Sequence, residues 1–178
     1  MSILKVARMG HPVLRAKAKA LTPADIKHAA VQQLIDDMID TMIEYHGVGL
    51  AAPQIHEGLR IFVGLLDSPK PEGRDDVETE PIAVINPEIA AIGDEVVEDW
   101  EGCLSIPDIR GRVPRAREIR LRAYTRDGAR LEMTLRDFPA RVALHEADHL
   151  DGILFFDRMK SFGSLTFLEE YSRYHTKD

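Results

Sequence analysis

The sequence predicts an α+β fold in which mainly antiparallel β-sheets pack around a helix in the C-terminal half of the chain. Three observations carry that expectation: short β-type apolar runs in the middle of the chain, two alternating segments about a tight turn, and helical spacing before and after them. The 178 residues suit a single domain, 1–178, long enough to bury a core.

The first 24 residues hold Lys5, Arg8, Arg15, Lys17 and Lys19 and no acid. Transit peptides share that bias, but no secretory apolar region is present and a basic first strand and turn is the favoured reading. Thr22-Pro23-Ala24-Asp25 reads as an N-cap, a proline at the first helical position and an acid in the first turn. Val31, Leu34, Ile35, Met38, Met42 and Ile43 then recur at helical spacing, and Gly47 is expected to end the helix. "RIFVGLL" (60–66) and "IAVINP" (82–87) are strand-like runs. The acidic, Pro- and Gly-containing stretch 67–81 between them reads as a solvated loop. "REIRLRAYT" and "ARLEMTLR" alternate apolar and polar residues about Arg126-Asp127-Gly128, which predicts a hairpin. Asp137 then fits as the cap of a helix over 138–150, with Gly152 at its end. The tail "SLTFLEEYSRYHTKD" fits an amphipathic helix with Leu165, Leu168 and Tyr171 or Tyr174 on one face.

Composition excludes several classes. Hydrophobic residues make up 44% and charged residues 30%, the balance of a globular protein, and no apolar run reaches membrane-spanning length. A net charge of −7 argues against indiscriminate binding to nucleic acid phosphates, and nothing suggests sequence-specific nucleic acid binding. Cys103 is the only cysteine, so it is a buried thiol, a ligand or a nucleophile, never half of an internal disulfide.

The segment "RVALHEADHLDG" (141–152) puts two histidines one helical turn apart. His145 and His149 then lie about 40° apart around the axis and roughly 6 Å along it, so both imidazoles can converge on one ion. Glu146 is offset by about 60° from His149, close enough to reach a water on that ion. A divalent metal lowers the pKa of its water toward about 7 while an adjacent carboxylate takes the proton, which points to metal-assisted hydrolysis.

A third protein ligand separates reaction classes. The extended pattern HExxHxxGxxH fails here, because its last position is Phe155. Upstream, "WEGCLSIP" (100–107) offers Cys103 beside Gly102, whose backbone can approach an ion closely. "GVGLAAPQIH" (47–56) reads either as a helix end and tight turn or as part of a site. Its Gly47 and Gly49 permit unusual backbone angles, and Gln54 offers an amide donor. Phe138 and Val142 share the face of the two histidines and line either a side-chain pocket or the core.

Taken together, GxGLAAPQ (47–54), EGCLS (101–105) and HExDH (145–149) resemble the three motifs of the peptide deformylase family. "GHPVLR" (10–15) and "VPR" (113–115) also look like that family, so the resemblance spans nearly the whole chain and leaves no room for a transit peptide. It implies a bacterial cytoplasmic enzyme that removes the N-formyl group from the initiator methionine of nascent polypeptides, releasing formate. Cys103, His145 and His149 match the family's ligands to one divalent ion, commonly Fe²⁺ in the cell, with Zn²⁺, Ni²⁺ or Co²⁺ as replacements. Glu146 matches the general acid/base, and Gln54 and the Leu104 backbone N–H match the oxyanion donors. Metal-bound water then attacks the formyl carbonyl. The backbone of Gly47, Val48 and Gly49 is expected to pair with an extended peptide, with Gly102 close by. Arg110 matches a family position near the substrate; the methionine pocket itself is expected at Phe138 and Val142 if that helix face is not simply core. In some relatives a C-terminal extension contacts the ribosome near the exit tunnel.

Many family members carry Gln immediately before the first histidine, whereas this chain has Leu144, which can only pack. Asp148 reads either as an acceptor that orients an imidazole or as an exposed helix acid. His11, His28, His46, His56 and His175 lack partners at ligand spacing and are assigned to the surface or to packing. Two other classes stay open: an HExxH peptidase acting on internal bonds, and a silent relative that only binds nascent chains. A Cys103 ligand counts against the first, and a retained general base against the second.

Overall fold

The computed structural model describes residues 2–66 and 80–176. Most of the expected loop 67–81 lies outside the described residues. Among the described residues, eight strands and five helices follow one another in the order α1 (Pro23–Ile26), α2 (Ala29–Glu44), β1 (Gly49–Ala51), β2 (Ile61–Gly64), β3 (Ile82–Ala91), β4 (Val96–Cys103), β5 (Ile106–Ala116), β6 (Glu118–Tyr124), β7 (Arg130–Arg136), α3 (Phe138–Leu150), α4 (Phe155–Arg158), β8 (Thr166–Phe167) and α5 (Leu168–Tyr174). Short 3-10 turns precede α1, follow β1 and precede β8. The strands form a five-stranded sheet in the order β1-β2-β3-β6-β7 and a three-stranded sheet in the order β4-β5-β8, with every pairing antiparallel.

The larger sheet explains its own sequence pattern. Phe62 and Val84 join Ala140, Val142, Ala143 and Leu150 of α3 in one buried cluster. Ile61, Val63 and Ile85, their neighbours along the same strands, pack with Ile35, Met38 and Met42 of α2 in another. Strands covered by a helix on each face need apolar residues at successive positions, hence the continuous runs. Beyond the reach of α2, β6 and β7 bury only one face and alternate: Ile119, Leu121 and Leu135 face inward, while Arg120, Arg122 and Arg136 are exposed.

Several local expectations are corrected. The Thr22 capping box closes only one turn, α1. His28 then adopts an extended conformation and caps α2 afresh, its Nδ1 accepting the Ala30 N–H. The helix ends at Glu44, and His46, not Gly47, takes the left-handed conformation (φ 54°). The Gly47 and His46 N–H groups donate to the Met42 and Ile43 carbonyls, the double bond of a Schellman motif. Asp137 stands before α3 but makes no capping bond, because its carboxylate accepts from Arg117 Nε at 2.8 Å. The basic N-terminal segment forms no extended strand. Apart from one bridge at Lys19, it is tied down by scattered single bonds, among them Ala7 N–H to the Gln54 carbonyl, Met9 N–H to that of Ser105 and Ala18 N–H to that of Leu150.

Strands β4 and β5 are the least legible, since acids interrupt one and Pro107, Gly111 and Pro114 punctuate the other. Beyond Arg110 no strand among the described residues pairs the outer edge of β5, and an edge tolerates Pro114. This hairpin clamps α3 against the larger sheet and delivers Cys103 at its turn.

Candidate active site

Helix α3 lies between the two sheets, apolar toward the larger one and polar toward β4 and β5. On the polar side His145 and His149 sit one turn apart with ring centroids 5.0 Å from each other. Cys103, at the last position of β4, brings its Sγ within 3.3 Å of His149 Nε2. One donor atom from each of Cys103, His145 and His149 lies within 4.8 Å of the others, and all three residues are buried.

Orientation of the first imidazole comes from Glu101. His145 Nδ1–H donates to Glu101 Oε2 at 2.8 Å, which leaves Nε2 to face the thiol. Glu101 also accepts both arms of Arg115, at 2.9 and 3.0 Å, and Arg141 Nη1 at 2.8 Å. Burial alone would raise its carboxyl, but the hydrogen bonds from His145 and Arg115 hold it well below the usual carboxylate range. Asp148 is neither an exposed acid nor an imidazole acceptor. It is buried and takes Arg115 Nη1 at 2.5 Å and Arg158 Nη2 at 2.7 Å. Charges of both signs are thus interleaved behind the histidines, as buried charges require.

Glu146 occupies a different environment. Among the described residues its buried Oε2 has no hydrogen-bond partner, and burial lifts the carboxyl to about 7. A β-carbon on Gly49 would stand 2.5 Å from Glu146 Oε1, so only glycine lets β1 pass this close to the carboxylate. Gln54 follows β1 in a 3-10 turn. Its Oε1 accepts the Ala51 N–H at 2.8 Å, which aims Nε2 at Ser105 Oγ (3.2 Å) and Cys103 Sγ (3.5 Å). The sulfur contact is the long one, and it leaves that N–H the freer of the two.

A cavity of about 680 Å³ gathers the remaining candidates. Gly47, Val48 and Gly49 form one wall, Gly102, Leu104 and Arg110 another, and Phe138 and Val142 a third, with Cys103, His145 and Glu146 among them. His149 lies behind, 1% exposed. Val142 serves cavity and core together, whereas Phe138 is 56% exposed at the mouth. The Arg110 guanidinium lies over Gly102, where a β-carbon would meet Nη1 at 2.2 Å. Leu144 packs against the core cluster. Of the other histidines, His11 and His56 meet edge to face, and His175 lies against Trp100.

Glu101, Arg141 and Ser105 belong to the site although ligand spacing gives none of them a role; Glu101 and Ser105 lie inside the EGCLS segment and Arg141 outside every motif. Two cues do point to Glu101 and Arg141. Glu101 precedes Cys103 by two residues on one strand, and Arg141 precedes His145 by one helical turn.

A soft thiolate with two imidazoles is a donor set suited to one divalent first-row cation, and the buried group fits it. Such a centre, with an unpartnered carboxylate beside it at the base of a cavity in an α+β fold, defines a metal-dependent hydrolase. A family model described as polypeptide deformylase matches residues 3–164, and the chain belongs to that family. It is 44% identical over 176 residues to peptide deformylase 2 of Nostoc sp., covering 99% of this chain and 97% of that one. Among solved structures, the Met-Ala-Ser-bound class I type b peptide deformylase of Acinetobacter baumannii superposes with a TM-score of 0.80 at 37% identity, covering 89% of this chain and 99% of that one. The peptide deformylase of Thermotoga maritima gives 0.79 at 38%, over 90% and 100%. The family comprises metal-dependent enzymes that act on formylmethionyl peptides.

Proposed function

We propose that this chain folds as one catalytic domain over 1–178 and hydrolyses the formyl group from the methionine of nascent polypeptides, with Cys103, His145 and His149 holding the metal ion and Glu146 moving the proton. The observation that carries the reading is the pairing of a three-donor group with a buried, unpartnered Glu146 whose carboxyl is poised near neutrality.

A divalent cation held by the three donors supplies Lewis acidity and lowers the pKa of a water beside it. Glu146 accepts the proton of the attacking water, and the oxygen adds to the formyl carbon. As negative charge grows on the formyl oxygen, Gln54 Nε2 and the Leu104 N–H donate to it; losing one such donor costs about 10²- to 10³-fold. Among the described residues no backbone carbonyl takes the Leu104 N–H, so it is available for that role. Glu146 then returns its proton to the amine nitrogen as the C–N bond breaks and formate departs. The backbone of Gly47, Val48 and Gly49 pairs with the extended peptide, Gly102 and Arg110 flank it, and Val142 with Phe138 receives the methionine side chain.

Fe²⁺ is the ion proposed for the cell, with Zn²⁺, Ni²⁺ or Co²⁺ able to replace it in the same thiolate and imidazole set. The reading carries the enzyme to the cytoplasm, beside ribosomes whose chains begin with formylmethionine, and sedimentation with translating ribosomes tests that contact. No described helix is long and apolar enough to cross a membrane.

The test is formate release from a formyl-methionyl peptide by anaerobically prepared protein loaded with Fe²⁺ or Ni²⁺, beside Glu146→Ala loaded in parallel. Release by the wild type, with a loss of at least about 10²-fold in the variant at equal metal content, supports the reading. No release by fully loaded wild type overturns it.

A further inference from the structure

We propose that Trp100 and Tyr171 form a selectivity wall that favours apolar side chains in the two residues following the methionine, an inference that rests on the deformylase reading above. The wall is built from distant parts of the chain. Trp100 lies on β4 two residues before Gly102, and both line the cavity that contains Cys103 and Glu146. Strand β8 pairs with β5 at Ile109–Phe167 and Arg110–Thr166, which sets α5 down across the same rim. There Leu168 and Tyr171 line the cavity too. The Tyr171 ring meets the Trp100 indole nearly edge to face at 5.1 Å, and the His175 ring lies 5.0 Å from the indole.

Backbone pairing with β1 holds an extended peptide without reading its side chains, and a methionine pocket reads only one of them. A chain leaving that pocket still carries side chains past whatever borders the exit. Trp100 and Tyr171 are both half-buried, so each keeps apolar ring surface that a passing leucine or phenylalanine can cover. Serine or glycine at the same position covers almost none of it. Aromatic pairs of this kind support a discrimination of about 3- to 10-fold.

The test compares kcat/KM of the metal-loaded full chain on formyl-Met-Ala-Ser with that on peptides in which Ala or Ser is replaced singly by Leu or Phe. The expected result is a preference of about 3- to 10-fold for the larger side chain at one of the two positions, carried mainly by KM. Trp100→Ala and Tyr171→Ala should each draw that ratio toward one, and Tyr171→Phe should retain it. Trp100 is the only tryptophan of the chain, so its emission gives a readout independent of turnover. Deformylated Met-Ala-Ser and its Phe-containing counterparts should shift that emission saturably, the preferred Phe peptide at the lower concentration. Equal rates on all peptides by active wild type, an equal fall on every peptide in the variants, or an unchanged emission on saturation would each overturn the wall while leaving the deformylase reading intact. Absence of formate from every peptide would instead overturn that reading.

Discussion

Glu101 Oε2 accepts a hydrogen bond from His145 Nδ1 at 2.8 Å, so one strand supplies Cys103 to the cation site and, two residues earlier, orients a histidine facing it. The carboxylate is itself fixed by Arg115 and Arg141. Supporting bonds of this kind are worth about 10- to 100-fold in metal affinity. Glu101→Gln should therefore bind Zn²⁺ or Ni²⁺ about 10- to 100-fold more weakly than wild type in competition with a chelator. Equal affinity would mean that the imidazole orientation is set by packing alone.

The same residue predicts an acid dependence of stability. Glu101 is held below its ordinary value of 4.5 in the folded protein, so the unfolded chain takes up its proton first as the pH falls. Its contribution is complete above about 4.5 and is lost as the pH drops toward the folded value. In metal-free protein, Glu101→Gln should be less stable than wild type by about 3–5 kcal/mol at pH 7, because Arg115 and Arg141 lose a buried counter-charge. The gap in urea unfolding should narrow below pH 4.5. A gap that stays constant to pH 3 would count against the ion network as its source.

What the sequence revealed of this site divides along physical lines. His145, Glu146 and His149 share one turn of helix, where spacing alone fixes geometry, so their convergence could be read directly. Cys103 and Gln54 meet them only through tertiary folding, and there a family resemblance did what spacing could not. The alternating β6 and β7 and the continuous β2 and β3 were visible because burial on one or both faces imposes a period. Strands β4 and β5 were not, because their inward positions hold Glu101 and Arg115, a buried ion pair that reads as surface charge. The split between α1 and α2 was hidden because His28, an unusual cap, supplies the break.

Gly49 makes a sharper test of Glu146 than removal of the carboxylate does. A β-carbon there would overlap Glu146 Oε1 at 2.5 Å, and β1 is pinned by its pairing with β2 at Gly64. The carboxylate must therefore yield. Gly49→Ala should keep its metal and its fold yet lose about 10²-fold in kcat, since displacing a reacting group by about 1 Å costs that much. Wild-type turnover in this variant would show that the position of Glu146 against β1 is immaterial.

Removal of the metal should lower thermal stability through the same three donors. An ion that binds only the folded chain stabilises it by about 2.7 kcal/mol when present at 100 times its Kd. For a chain of this length that corresponds to about 5–10 °C in Tm. Chelated wild type should melt that much lower than the loaded protein and recover on adding Zn²⁺ or Ni²⁺. Cys103→Ala should melt at a temperature that metal and chelator leave nearly unchanged, because two imidazoles on one helical turn hold an ion far more weakly than they do with a thiolate opposite. If that variant kept the full metal-dependent shift, the ion would have to be held by His145 and His149 with some group other than Cys103, and the chemistry assigned to the cavity would need a different centre.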